Sequence, residues 1–398
     1  CYRPVRCRKI ADNRYQFFNH NYFENAALNV KYTYFTNGVE TYSSTFDVNI
    51  APQSSQEYEI DSLELDKDNH NSVVFEYLAG DFLIASEQII LSDGKLSADI
   101  NSDGKIAVKP SENKLYITFD NGSMIFDKST GFITSYIYKN HEMINSFPLG
   151  DFKGFAPAFY RAPLDNDRNI CKYWHTMGLQ NTSNICKGSS FTDSGDNIVV
   201  TTNIKSLAKC ILPVANTQIK YTIYPNGNIL VDVNCLGGGA VKLLPRFGVM
   251  LEMPKEYENI KYFGLGEDVN LPDYKEHTIN KIYQTTVDKL KEDYIKPQES
   301  ATRCDVRFAE ITNASGFGLR FEAVSKPFIF SASHYTSNQW AKAMHRDDLV
   351  DLPTTCVNID SSVLGAGSNA CGPLPDKKDR VGSLSGKKLS FVVKPIGE

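Results

Sequence analysis

No run in the sequence approaches the ~18 apolar residues of a membrane-spanning helix, so a soluble chain with no membrane partner is expected. There is no run of Lys or Arg either. The 42 basic and 47 acidic residues leave a formal charge of −5, which argues against nucleic acid as the main partner. Nine cysteines, an odd number with no Cys-x-x-Cys pair, fit neither a disulfide framework nor a zinc site. Most are expected as small buried hydrophobes in a reducing compartment, which favours the cytoplasm. No two of the seven histidines stand three to five residues apart, so no metal-ligand spacing is present. Helical periodicity is scarce: no window of twelve residues carries it, and only 338–344 could form one or two turns. That excludes a (β/α)8 barrel, which needs ~250 residues of alternating strand and helix. The first residue is Cys1 and not Met, so a chain processed or cut from something longer is expected.

What is present is strand. Hydrophobic residues at 41% and aromatics at 12% suffice for packed cores, and 398 residues exceed the ~250–300 of a single core. Leu28, Val30, Tyr32 and Tyr34 alternate with Asn29, Lys31 and Thr33. Asn37-Gly38 then predicts a type I′ hairpin into residues 41–50, because Asn and Gly tolerate positive φ. Strands at 73–77 and 82–91 complete an immunoglobulin-like β-sandwich of about seven strands over residues 1–95. The polar stretch 96–110, with Asp-Gly at 103–104, is expected as a linker. From 111 to 398 the pattern is again antiparallel strand: 115–119 and 124–126 about Asp120-Asn121-Gly122, 132–138, 219–223 and 229–233 about Pro225-Asn226-Gly227, and 388–394. This predicts a second, large antiparallel β-sandwich, so the fold class is all-β.

Two segments differ from sandwich filler: Arg161-Ala162-Pro163-Leu164-Asp165-Asn166-Asp167, and Tyr262-Phe263-Gly264-Leu265-Gly266 continuing to Asn270, Pro272 and Asp273. Pro297-Gln298-Glu299, Asp305-Val306-Arg307, Asn358-Ile359-Asp360, Gly365-Ala366-Gly367 and Cys371-Gly372-Pro373 follow. In this order they resemble the C-terminal part of the β-galactosidases of glycoside hydrolase family 2: the second immunoglobulin-like domain and the small-chain β-sandwich, which is similar to galactose mutarotase. The resemblance covers essentially the whole chain.

The resemblance implies a non-catalytic region or small chain of an enzyme that hydrolyses terminal non-reducing β-D-galactose residues in β-galactosides such as lactose. Retaining hydrolysis needs two carboxyl groups ~5–5.5 Å apart. In the family both are glutamates of a (β/α)8 barrel absent from this sequence, so no catalytic residue is expected here. No metal or cofactor is expected in this chain either, because the family's magnesium and sodium are held mainly by that barrel. The implied partners are the barrel-bearing part or large chain, the galactoside, and further copies in an oligomer. By position, the family's mobile loop corresponds to residues 138–145, with Asn140 and His141 as substrate-binding candidates. The C-terminal loop 367–373 supplies Asn369 and Cys371, where Cys371 takes the place of a family tryptophan that packs on the aglycone sugar. Asp165, Asn166 and Asp167 complete the candidates.

At 264–274 the sequence departs from the family, with Glu267, Val269, Leu271 and Tyr274 in place of Pro, Glu, Tyr and Arg. This puts in doubt whether the loop meets its usual neighbour. Beside the substrate-site reading of 161–167 stands a structural turn, with Arg161 paired to one aspartate and the carboxylates capping backbone N–H groups. Gly264-Leu265-Gly266 is expected as a tight turn, since no helix follows to make it an anion site. Two alternatives stay open for the whole chain: a stand-alone galactoside-binding module, or a mutarotase-like enzyme with a histidine and a carboxylate as acid and base.

Overall fold

The computed structural model describes residues 3–96, 98, 100, 103–144 and 154–397. The chain forms two compact units. The first comprises Cys1–Lys95, Phe263–Glu267 and Lys275–Tyr283, and the second Leu96–Tyr262, Asp268–Tyr274 and Gln284–Glu398. Among the described residues no helix is long and apolar enough to cross a membrane.

The first unit is a β-sandwich of a three-stranded sheet (Val5–Lys9, Arg14–Asn19, Ser55–Glu59) and a four-stranded sheet in the order Val39–Ile50, Ala26–Thr36, Asn71–Ala79, Phe82–Ser92. Period-two alternation decides which side is buried. Leu28, Val30, Tyr32 and Tyr34 point inward with Val73, Phe75 and Tyr77. Phe17 from the other sheet packs edge-on against Phe75, with ring centroids 5.4 Å apart. Thr36 pairs with Val39, and Asn37 and Gly38 take φ of 50° and 78°. This is the type I′ turn that the sequence predicts.

The second unit holds three antiparallel sheets. One runs His141–Glu142, Phe132–Tyr138, Gly122–Asp127, Lys114–Phe119, Ala107–Pro110, so the last four residues of the expected linker stretch form an edge strand. A nine-stranded sheet runs from Ser183–Asp193 through Ile229–Gly238 and Lys388–Ile396 to Asn259–Gly266 and Ile279–Thr286, the last two divided between the units. Gly264-Leu265-Gly266 is the end of a strand and not the expected tight turn. Buried Tyr262, Phe263 and Leu265 supply inward side chains that hold the segment extended.

The third sheet runs Ala156–Ala158, Arg246–Pro254, Thr354–Val363, Phe328–Ser333, Arg303–Val306. Along its second strand Phe247, Val249, Leu251 and Met253 alternate with Arg246, Gly248, Met250 and Glu252, and all eight are buried. The first set makes an apolar face and the second a mixed one. On the mixed face, Met250 pairs with Asn358 and Asn358 with Ser331.

The Arg246 guanidinium stands on this face, Nε 3.0 Å from Asp360 Oδ2, and donates from Nη1 to Asn358 Oδ1 at 3.0 Å. Burial pushes the Asp360 carboxyl up to about 7, against the pull of Arg246 and with a further push from Glu299. The folded protein therefore holds a proton that the unfolded chain has released. Stability from this group is present below the ordinary value of 3.8 and is lost as pH rises through about 7. Unfolding free energies from urea denaturation are expected to fall on this account between pH 4 and about pH 7, by up to about 1.4 kcal/mol per pH unit, and Asp360→Asn is expected to remove that slope.

Helices are few: α1 (Ile170–Met177), α2 (Val287–Leu290) and α3 (Ser337–Lys342). α3 overlaps the predicted stretch 338–344, starting one residue earlier, with Thr336 as its N-cap, accepting from the Gln339 N–H. α1 stands where no helix is expected, because eight residues are too short for a periodic signal. Its marks are Ile170 and Trp174 buried at i and i+4, and Gly178 closing it at φ 77°.

Candidate functional site

Arg161 follows the short strand Ala156–Ala158 and is fully buried. A buried guanidinium needs its donors filled and its charge matched. Nη1 lies 2.6 Å from Asp167 Oδ2 and 3.0 Å from the Ala162 carbonyl, and Nη2 reaches the Leu364 carbonyl at 3.2 Å. The guanidinium also lies 5.5 Å from the ring centroid of Trp174 on α1. Asp167 Oδ2 accepts the Leu164 N–H as well, which closes a short turn over residues 165–167. Arg161 and Asp167 thus do the structural work of the turn, and the turn presents Asp165 and Asn166.

Asn166 donates to the Gly367 carbonyl at 2.6 Å, and Asn169 to the Asn369 carbonyl at 2.7 Å. Asp165 donates its N–H to Gln298 Oε1 at 2.8 Å. From the other side, Asp273 accepts the N–H groups of Ala366 and Gly367 at 2.7 and 2.8 Å. Loop 365–373 is also braced within itself, the Cys371 N–H reaching the Ser368 carbonyl at 3.1 Å. Segments around residues 165, 273, 298 and 367 therefore meet in one cluster. Despite its departures, the 264–274 stretch keeps the one side chain, Asp273, that holds the loop.

The fit is tight at Gly365, where a Cβ would lie 2.5 Å from Asp273 Cγ. That carboxylate is already committed to two amides and cannot swing away. Gly365→Ala is expected to cost about 1–3 kcal/mol and to speed hydrogen exchange at the Ala366 and Gly367 amides. Unchanged exchange there would show that the loop is held by other means.

Of the seven substrate-binding candidates, five come together: Asp165, Asn166, Asp167, Asn369 and Cys371. Asp167 is buried and committed to Arg161, Asp165 and Cys371 are exposed, and Asn369 buries its Oδ1 without a hydrogen-bond partner among the described residues. Asn140 and His141 sit elsewhere, at the turn after Phe132–Tyr138, where Asn140 takes φ 68° and His141 stacks on Phe317 with centroids 3.8 Å apart. Asn145, at the end of the proposed loop, lies outside the described residues. Sequence reasoning missed Tyr294, 39% exposed, whose hydroxyl is raised by burial, by Glu292 and Tyr274, and by Asp165. Nothing in the sequence joins residue 294 to residue 165; the signal is spatial.

Among the described residues no three His, Cys, Asp or Glu side chains gather as a metal site. The eight described cysteines form no disulfide, and Cys235, Cys304 and Cys356 are the buried ones.

Residues 118–393 match the family described as beta galactosidase small chain. The chain belongs to that family. It is 30% identical over 389 residues to a beta-galactosidase of Actinobacillus pleuropneumoniae, covering 93% of this chain and 37% of that protein. A beta-galactosidase of Halalkalibacterium halodurans is 25% identical over 368 residues, 88% of this chain and 35% of that protein. This small-chain region thus spans little more than a third of each relative. Among solved structures, a galactose 1-epimerase from Lactobacillus acidophilus NCFM aligns over 74% of this chain and all of its own, at 7% identity and a TM-score of 0.45. The small-chain match contains every residue of the cluster around residue 165.

Proposed function

We propose that this chain is the non-catalytic C-terminal region, or the separate small chain, of a β-galactosidase acting on terminal β-D-galactose residues in β-galactosides such as lactose. Its partner carries the (β/α)8 barrel with the two catalytic glutamates. The observation that carries the reading is the loop 365–369, fixed from two sides by Asn166, Asn169 and Asp273. A loop held this firmly suits a wall that meets substrate at a neighbouring active site.

The charges of the cluster support a non-catalytic role. Asp167 is tied to a buried arginine and Asp273 to two backbone amides. Asp165 is exposed, and retaining hydrolysis would need a second carboxyl group about 5 Å from it. Asp165, Cys371 and Tyr294 are the side chains free to face a sugar.

The test is assembly. The 398-residue chain is mixed with a barrel-bearing large chain from the same source and followed by size-exclusion chromatography with light scattering. A stoichiometric complex is expected; two separate peaks at micromolar concentrations would count against the reading.

A further inference from the structure

A cavity of about 640 Å³ opens on the mixed face of the sheet that carries Arg246–Pro254, within the range of roughly 300–1,000 Å³ found for small-molecule sites. Its floor is Met250 and Asn358, cross-strand neighbours on that face, with Phe132, Phe159 and Leu179 around them. All five are buried. One wall is the strand Ser183–Asp193, and the mouth is framed by two short helical ends. α1 is anchored through Trp174, whose Nε1 donates to the Leu243 carbonyl at 2.8 Å, and it delivers Gln180 and Asn181 to the rim. α3 delivers Asn338, whose Nδ2 bridges to the Gln180 carbonyl at 2.8 Å.

The lining chemistry is selective. None of the twenty lining residues is Asp, Glu, Lys, Arg or His, although charged residues make up 22% of the chain. Five are amides, Gln180, Asn181, Asn184, Asn338 and Asn358, and seven more carry hydroxyls, Tyr160 among them. Gln180 buries its Oε1 without a hydrogen-bond partner among the described residues. A charged ligand would be desolvated here without a counter-charge. A purely apolar one would leave the buried Gln180 Oε1 unpaired. What satisfies both is a molecule with hydroxyls round its edge and C–H groups on its face: planar amides pair with hydroxyls as donor and acceptor at once, while Met250, Phe132 and Phe159 take the C–H face.

We infer that this cavity is a binding site for a neutral sugar of one or two rings, built wholly within the second unit. The inference does not rest on the chain's role in a β-galactosidase, so the two can fail separately.

Isothermal titration of the full 398-residue chain with D-galactose, D-glucose and lactose tests it, with D-glucuronate as the charged comparison. At least one neutral sugar is expected to bind at one site, with glucuronate at least about tenfold weaker. Asn338→Ala is expected to weaken binding by roughly three- to tenfold, the loss of one hydrogen bond. Met250→Trp, which fills the floor, is expected to abolish it. Asn338→Arg blocks the mouth from the start of α3 and does the same should the tryptophan disturb the sheet. Lys220→Ala, on an exposed strand position outside the cavity lining, is expected to bind as the parent does. No heat from any neutral sugar at tens of millimolar, glucuronate binding as tightly as lactose, binding that survives Asn338→Arg, or binding lost in Lys220→Ala would each overturn the inference.

Discussion

Arg161→Met is expected to destabilise the second unit by about 3–5 kcal/mol, the largest effect of any single substitution considered. The guanidinium is fully buried, and so is its partner: Asp167 is 2% exposed. Removing the arginine strands a carboxylate where water cannot reach it, and that stranded charge accounts for more of the loss than the missing attraction does. The Ala162 and Leu364 carbonyls lose their donor at the same time, and the face of Trp174 loses its cation. Arg161→Met combined with Asp167→Asn separates these contributions, because the uncompensated charge then goes with its partner. Urea denaturation of parent, both single variants and the double variant closes the cycle. The double variant is expected to recover part of the loss. If it is as unstable as the sum of the singles, Arg161 and Asp167 are not coupled and the turn is built some other way.

Within residues 161–167, Asp167 pairs with Arg161 and accepts the Leu164 N–H, while Asp165 and Asn166 are what the turn displays. Sequence could not separate the two aspartates, because burial of one aspartate and exposure of another two residues away depends on what packs over them.

Local pattern carried most of the fold. Period-two alternation in Ala26–Thr36 and the turn chemistry of Asn37-Gly38 are properties of neighbouring residues, and they fix both the strands and their pairing. The same holds for Gly122–Asp127 against Lys114–Phe119, where two residues turn the chain. Where a segment is short or buried on both sides the pattern weakens. α1 has barely two turns, Ala107–Pro110 has four residues, and Gly264-Leu265-Gly266 carries two turn-prone glycines yet continues a strand. Long-range meetings are a different kind of information. Residues 166 and 367 stand 201 apart, and no propensity or spacing predicts their contact; only the order of motifs pointed to a common neighbourhood. The cavity over Met250 left no mark at all, since its amides come from three separate stretches, around residues 180–184, 338 and 358, in a chain generally rich in Asn.

The second large effect concerns activity. If the chain forms a wall of an active site whose carboxylates lie on another stretch of polypeptide, each part alone is deficient for a different reason. The 398-residue chain has no acid/base pair to offer in the cluster, so its turnover should not exceed the uncatalysed rate. A barrel-bearing chain has the carboxylates but lacks surfaces that position the sugar, and misplacement of a reacting group by even about 1 Å can cost roughly a hundredfold. Adding Gly365→Ala in place of the parent chain should rescue less, because its loop is no longer pinned by Asp273.

The direct measurement is hydrolysis of a chromogenic β-galactoside by the barrel-bearing chain, with and without this one. The account predicts no turnover by this chain alone and a rise of at least about a hundredfold in the mixture. Cleavage by the isolated 398-residue chain at an enzymatic rate, or a mixture no faster than the barrel-bearing chain by itself, would contradict it.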